Sequence, residues 1–94
     1  MTINFGLKEE VLEEIRNTVS KYDRRAKIFG SRAIGNERRY SDIDIAVYGD
    51  TNASDLHDEL DELDIIYTCD VVNYDKLKHE GLKKHIDEYG KSLF

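Results

Sequence analysis

One stretch of the chain, residues 26–48, restricts the fold more than any other. Its first four residues predict a short strand that runs into Gly30-Ser31. Ten residues separate Ser31 from Asp42, where a second run with strand character begins. If both ends belong to one site, the end of the first strand must neighbour the start of the second. We therefore expect the two strands to pair antiparallel.

The Gly30-Ser31 pair is the first candidate binding element. Glycine lets a ligand approach the backbone closely, and serine favours the start of a helical turn, here over residues 32–34. The first N–H groups of such a turn have no partner within it, so they are available to bind an anion such as phosphate. A Gly-Ser pair alone is a weak signal, because it more often marks an ordinary corner between a strand and a helix.

Asp42 and Asp44 form the second candidate element. Residues 41–48 alternate between polar and apolar side chains, as a strand with one buried face does. Both aspartates then lie on the same face, about 6–7 Å apart along the backbone. Carboxylates in this arrangement can hold divalent cations, and pairs of such cations promote displacement at phosphorus. The alternative is a polar strand edge that faces solvent.

A third acid, Asp70, favours cation binding. It interrupts a run of small and apolar residues that predicts a strand over residues 65–72. A helix predicted over residues 54–63, with Ser54 as its N-cap, is long enough to serve as a crossover, so this strand should pair parallel with the strand of Asp44. Three carboxylates on one face repel each other unless a cation such as Mg²⁺ lies among them.

Two further helices complete the predicted fold. An apolar stripe predicts a helix over residues 7–19, and a weaker pattern predicts a last helix over residues 75–89. The fold class is α+β, a small mixed three-stranded sheet flanked by helices, in one domain that spans residues 1–94. His79 and His85 are interpreted as surface or packing residues, because neither has a partner at zinc-ligand spacing.

Composition limits the class of partner. The net charge of −6 provides no basic excess for a nucleic-acid backbone, so we expect no stable nucleic-acid partner. Cys69 is the only cysteine, which is compatible with a reducing compartment. The sequence has neither an 18-residue apolar run nor a basic-then-apolar N-terminus. We expect a cytoplasmic protein that does not bind a membrane.

Together these residues resemble a known family. Gly30-Ser31, ten residues, Asp42-x-Asp44 and a later strand aspartate, Asp70, are similar to the pattern of the polymerase-beta-type nucleotidyltransferases. Residues 28–33, Ile-Phe-Gly-Ser-Arg-Ala, are most similar to the minimal nucleotidyltransferases, often called MNT or MntA. The resemblance covers nearly the whole chain and implies a polymerase-beta-like nucleotidyltransferase fold.

The resemblance also implies functional residues and ligands. It implies ATP as substrate, two Mg²⁺ ions as cofactors, and catalytic and metal-binding roles for Asp42, Asp44 and Asp70. It implies nucleotide binding by Gly30, Ser31 and Arg32. Arg38 and Arg39, in the loop before Asp42, are further candidates for contact with the triphosphate.

The same resemblance implies the antitoxin of a HEPN–MNT pair. In such pairs the minimal nucleotidyltransferase transfers AMP from ATP to a tyrosine of its partner, a HEPN-domain ribonuclease toxin. We expect a separate protein to supply the acceptor, because no part of the chain is left over to bind it. Two alternatives stay open: a catalytically idle module that neutralises its partner by docking, and nucleotidyl transfer to a small molecule. Apolar surface near Leu93 and Phe94 is a candidate partner contact.

Overall fold

The computed structural model describes residues 4–94, which form four α-helices, four strands and one short 3₁₀ helix. None of the helices in this part of the chain is long and apolar enough to cross a bilayer. In chain order the elements are α1 (Glu9–Ser20), β1 (Lys27–Phe29), α2 (Ser31–Ile34), β2 (Ile43–Val47), α3 (Ala53–Asp61), β3 (Cys69–Asn73), the 3₁₀ helix (Tyr74–Lys76), α4 (Glu80–Tyr89) and β4 (Lys91–Ser92).

The strands form one mixed sheet in the order β3-β2-β1-β4. β1 pairs antiparallel with β2, and β2 pairs parallel with β3 across the α3 crossover, which confirms both predicted pairings. The register places Phe29 opposite Asp44, and Asp44 opposite Asp70. The end of β1 therefore lies beside the start of β2, which in turn lies beside the start of β3.

The core is divided between the two faces of the sheet, because successive side chains of a strand point to opposite faces. Ile28 and Ile45 belong to the larger cluster, which includes the buried apolar residues of α1 and α3. On the other face Phe29 and Ala46 pack with Ile86 of α4 in a smaller cluster. Asp44 alternates with Ile45 along β2, so it lies on the face that α4 covers.

The sheet has one strand more than the sequence predicts. β4 pairs antiparallel with β1, with Ser92 opposite Lys27. Leu93, which follows β4, is fully buried, and its carbonyl oxygen accepts a hydrogen bond from Nε of Arg16 at 2.7 Å. The expectation of exposed apolar surface at Leu93 is therefore wrong, although Phe94 is 37% exposed. A two-residue strand is too short for periodicity to reveal.

The last predicted helix is divided in two. The side chain of Asn73 caps the 3₁₀ helix, and Leu77 after it is extended. The side chain of His79 caps α4 by accepting the N–H of Leu82 at 2.9 Å. Side-chain caps of this kind compete with a continuous helix. His79 is thus the N-cap of the final helix, which begins at Glu80.

The crossover helix also begins at a different residue from the one predicted. Asn52 is the N-cap in place of Ser54, and its Oδ1 accepts the N–H of Asp55 at 3.0 Å. Asparagine and serine have similar preferences for this position, so the sequence did not distinguish them. β3 begins at Cys69, so residues 65–68 of the predicted strand lie outside it.

Candidate active site

Three aspartates stand at one end of the sheet. Asp42 directly precedes β2, Asp44 is the second residue of β2, and Asp70 is the second residue of β3. Asp44 and Asp70 are direct partners in the parallel register, so their side chains leave the sheet on the same face. Asp42 and Asp70 are exposed, whereas Asp44 is half-buried. The parallel pairing thus brings acids that are up to 28 positions apart in the sequence to the same end of the sheet.

The electrostatics of Asp44 reflect this crowding. Partial burial and the negative charges of Asp70 and Asp42 raise the pKa of Asp44 from its ordinary 3.8 to about 6. Neighbouring carboxylates have this effect because like charges disfavour the ionised form. A cation bound among the three acids would remove the repulsion, so the charge distribution fits a metal-binding role.

The acids are a suitable but incomplete ligand set for Mg²⁺. Within residues 4–94 no three His, Cys, Asp or Glu side chains converge closely enough to form a complete metal cluster. Mg²⁺ prefers oxygen ligands and usually keeps several waters, sharing one or two carboxylates with the phosphates of a substrate. A full cage of protein ligands is therefore not required. Asp42, Asp44 and Asp70 fit a Mg²⁺ that is held jointly with a phosphorylated ligand.

Gly30 joins β1 to α2 directly beside Asp44. Its φ of 77° and ψ of −156° lie in a region that is essentially restricted to glycine. A Cβ at this position would collide with Oδ2 of Asp44. The backbone of the turn therefore lies against the carboxylate, and the two halves of the sequence motif are in contact. Gly30, not Ser31, occupies the N-cap position of α2, so Ser31 is the first helical residue.

The side chain of Arg32 is buried and hydrogen-bonded, so it is not a free cation beside the three aspartates. It is only 3% exposed, and its guanidinium donates to the carbonyl oxygens of Phe5 and Ser41 at 2.9 Å. The same group lies 4.9 Å from the ring centroid of Tyr67. Arg32 thus holds the backbone immediately before Asp42. This placement leaves its backbone N–H, and not its guanidinium, as the group that could contact a phosphate.

Arg38 and Arg39 lie in the exposed loop between α2 and β2. The backbone N–H of Arg38 donates to Oγ of Ser41 at 2.8 Å, and the guanidinium of Arg39 lies 5.4 Å from the ring centroid of Tyr40. Neither contact occupies the side chain of Arg38. Binding of phosphate by these two arginines stays a prediction.

His85 is the site residue that the sequence interpretation missed. Its Nε2 accepts a hydrogen bond from the N–H of Gly30 at 3.0 Å. The signal was present in the helical periodicity, because Leu82, His85, Ile86 and Tyr89 follow the i, i+3, i+4, i+7 spacing of one helix face. A histidine within an inward-facing stripe is positioned to contact the sheet.

A cleft of about 360 Å³ lies at the opposite end of the sheet from the aspartates. Its lining includes no predicted site residue, so it is not part of the candidate site. The residues that line it are Arg25, Lys27, Tyr48, Tyr74, Asp75 and Asp87.

Fold and site together define a small domain with a mixed sheet, in which clustered carboxylates lie beside a helical turn that begins at a glycine. Residues 13–94 match the family described as Polymerase beta, Nucleotidyltransferase. The chain belongs to the polymerase beta nucleotidyltransferase family. This finding confirms the fold that the resemblance implied.

One solved structure adds to this assignment. A chain from a toxin–antitoxin crystal structure with AMP-PNP has a TM-score of 0.66 and 27% sequence identity to this chain. The alignment covers 94% of this chain and 73% of that one. No curated protein matches the sequence.

Proposed function

We propose that the chain is an antitoxin with Mg²⁺-dependent nucleotidyltransferase activity, which transfers AMP from ATP to a tyrosine of a HEPN ribonuclease toxin. The observation that carries the proposal is the register of Phe29, Asp44 and Asp70, which sets the Gly30-Ser31 turn beside the carboxylates. Family membership supports nucleotidyl transfer. The likeness to a toxin–antitoxin chain studied with AMP-PNP supports an ATP-like substrate and a toxin partner.

The turn and the acids have separate tasks in this proposal. The backbone N–H groups of Ser31 and Arg32 and the hydroxyl of Ser31 bind the phosphates of ATP. Asp42 and Asp44 would hold one Mg²⁺ at these phosphates and, with Asp70, a second one near the acceptor. When bound, Mg²⁺ supplies positive charge to the phosphates and lowers the pKa of the acceptor hydroxyl.

At the α-phosphorus, the transfer forms one bond and breaks one. The acceptor oxygen bonds to the α-phosphorus of ATP while the bond from that phosphorus to the oxygen bridging the β-phosphate breaks, and pyrophosphate leaves. Asp70, exposed near the start of β3, accepts the proton of the acceptor hydroxyl. The backbone donors of the turn are already oriented before the reaction, so they stabilise charge on the phosphates without reorganisation.

Intact-mass analysis of the chain with its copurifying partner tests the proposal. After incubation with Mg²⁺ and ATP, the partner should gain one or more AMP units. The double variant Asp42→Asn, Asp44→Asn should reduce labelling by about 100-fold or more, a loss typical of removing electrostatic stabilisation from a site. Asp58→Asn on α3, whose side chain is 78% exposed, is the matched control and should label normally.

Other outcomes would favour the alternatives. Labelling that persists in the double variant would show that these acids are not the catalytic set. A partner that binds but never changes mass would favour neutralisation by docking. Turnover of a small hydroxyl compound by the chain without any protein partner would favour a small-molecule acceptor.

A further inference from the structure

We infer that His85 is a positioning residue for the Gly30-Ser31 turn. By accepting a hydrogen bond from the N–H of Gly30, His85 fixes this turn against Asp44. The contact itself rests on geometry alone. Its consequence for nucleotide binding rests on the proposed function.

The first step is the hydrogen bond. β1 pairs with β2 as far as Phe29 and with β4 only through Lys27 and Ile28, so Gly30 lies beyond both ladders. A backbone N–H that leaves a sheet needs another acceptor. Nε2 of His85 supplies it at 3.0 Å, across 55 positions of sequence. Because Nε2 accepts, the hydrogen-bond pattern assigns the ring proton to Nδ1.

The second step is the conformation of Gly30. Its combination of φ and ψ is sparsely populated and persists only where the surroundings hold it. Phe29 fixes the chain before Gly30 through the ladder, and the side chain of Asp44 limits movement on one side. His85 holds the remaining polar group, the N–H. Without that contact the turn is free to relax away from the carboxylate.

The third step is the rigidity of His85. Its ring meets Phe29 edge-on at 6.1 Å between centroids and lies 5.2 Å from the ring of Tyr89. The next residue, Ile86, is fully buried with Phe29 and Ala46. The imidazole is therefore held by contacts with two aromatic rings, and the helix that carries it is anchored in the core. Because α4 is fixed in place, His85 holds the Gly30 N–H in a fixed position.

Two substitutions separate hydrogen bonding from packing. His85→Phe keeps a planar ring between Phe29 and Tyr89 but removes the acceptor. His85→Gln removes the ring but keeps an acceptor at a similar distance from the backbone. His57→Phe is the control for loss of a histidine, since His57 lies on α3, which packs into the larger cluster on the opposite face of the sheet.

The experiment combines three measurements on the full chain: hydrogen exchange of the Gly30 amide by NMR, the melting temperature, and the affinity for Mg²⁺–AMP-PNP by calorimetry. His85→Phe should speed Gly30 exchange about tenfold and weaken nucleotide affinity about tenfold, as loss of one hydrogen bond predicts. Its melting temperature should fall by no more than about 10 °C, the shift that loss of one hydrogen bond causes in a chain of this length. His85→Gln and His57→Phe should stay within about threefold of the wild type in both exchange and affinity.

Two results would overturn the inference. One is unchanged Gly30 exchange in His85→Phe. The other is an equal loss of affinity in His85→Phe and His85→Gln that follows their melting temperatures, which would show that only ring packing matters. A wild-type chain that does not bind Mg²⁺–AMP-PNP would refute the proposed function instead, and Gly30 exchange would still decide the role of His85.

Discussion

Gly30 and Asp44 are in contact across the β1–β2 pair, so closely that a Cβ on Gly30 would collide with Oδ2 of Asp44. The contact joins a backbone turn suited to phosphate with a carboxylate suited to a cation. It also makes Gly30 the most restricted position of the site, because its φ of 77° disfavours any other residue.

Gly30→Ala should therefore lower the free energy of unfolding by about 2–4 kcal/mol, through backbone strain and the collision together. Gly35→Ala is the matched control, since Gly35 also has a positive φ, of 93°, but has nothing within 4 Å of an added Cβ. It should cost only about 1 kcal/mol. Urea denaturation measures both. Equal losses would mean that the contact with Asp44 contributes nothing.

The raised pKa of Asp44 predicts a pH-dependent stability. With a pKa of about 6 in the folded chain against an ordinary 3.8, the folded state binds the proton more tightly than the unfolded state. The stability that protonated Asp44 contributes should thus be lost as the pH rises from about 4 through about 6. In EDTA, Asp44→Asn should be more stable than the wild type at pH 7.5, by about 1–2 kcal/mol because solvent screens part of the repulsion at this half-buried carboxylate, and this advantage should disappear below about pH 4.

Adding Mg²⁺ provides the complementary measurement. A cation that binds the folded chain raises its melting temperature by mass action. The wild type should gain more than Asp44→Asn at pH 7.5, because the variant lacks one of the charges that attract the ion. Identical shifts in the two proteins would show that Mg²⁺ binds elsewhere.

The buried guanidinium of Arg32 predicts a structural effect on mutation. Arg32→Met loses the hydrogen bonds to the carbonyl oxygens of Phe5 and Ser41. It should lower the free energy of unfolding by about 2–4 kcal/mol, because one buried and one partly buried acceptor are left without donors. Arg38→Met, an exposed neighbour, should change stability by less than about 0.5 kcal/mol. If Arg32→Met weakens nucleotide binding without lowering stability, the guanidinium contacts phosphate after all.

The buried position of Leu93 predicts that the C-terminal residues stabilise the sheet. Leu93→Ala should cost about 2–4 kcal/mol, the usual range for truncating a buried leucine. Phe94→Ala removes a larger side chain, but one that is 37% exposed, and should cost clearly less. Chemical denaturation of both variants tests this. The reverse order would mean that the chain after β4 is not packed as the structure has it.

Much of the site could be predicted from local patterns. The alternation of residues 41–48 sets Asp42 and Asp44 on one face, and the crossover helix requires a parallel strand that brings Asp70 alongside. Both are consequences of short-range periodicity and chain length. Family membership then confirms the fold that this arrangement resembles.

Other features depend on partners that no local pattern reveals. Arg32 turns inward because the carbonyl oxygens of Phe5 and Ser41 converge on it, and Phe5 is 27 positions away. The short strand β4 exists because β1 offers a free edge to it. In both cases the decisive contact forms only once distant segments have packed.

The sequence by itself determined how β1, β2 and β3 pair, that Asp42, Asp44 and Asp70 lie at one end of the sheet, and that Gly30 follows β1. It could do so because spacing and alternation are local properties of a chain. Only the tertiary structure decided which side chains complete the site. It directs the Arg32 guanidinium into the interior and brings His85 to Gly30 from 55 positions away. The physical reason is that hydrogen-bond acceptors for buried donors come from whichever segment packs beside them, and that is set by the whole core.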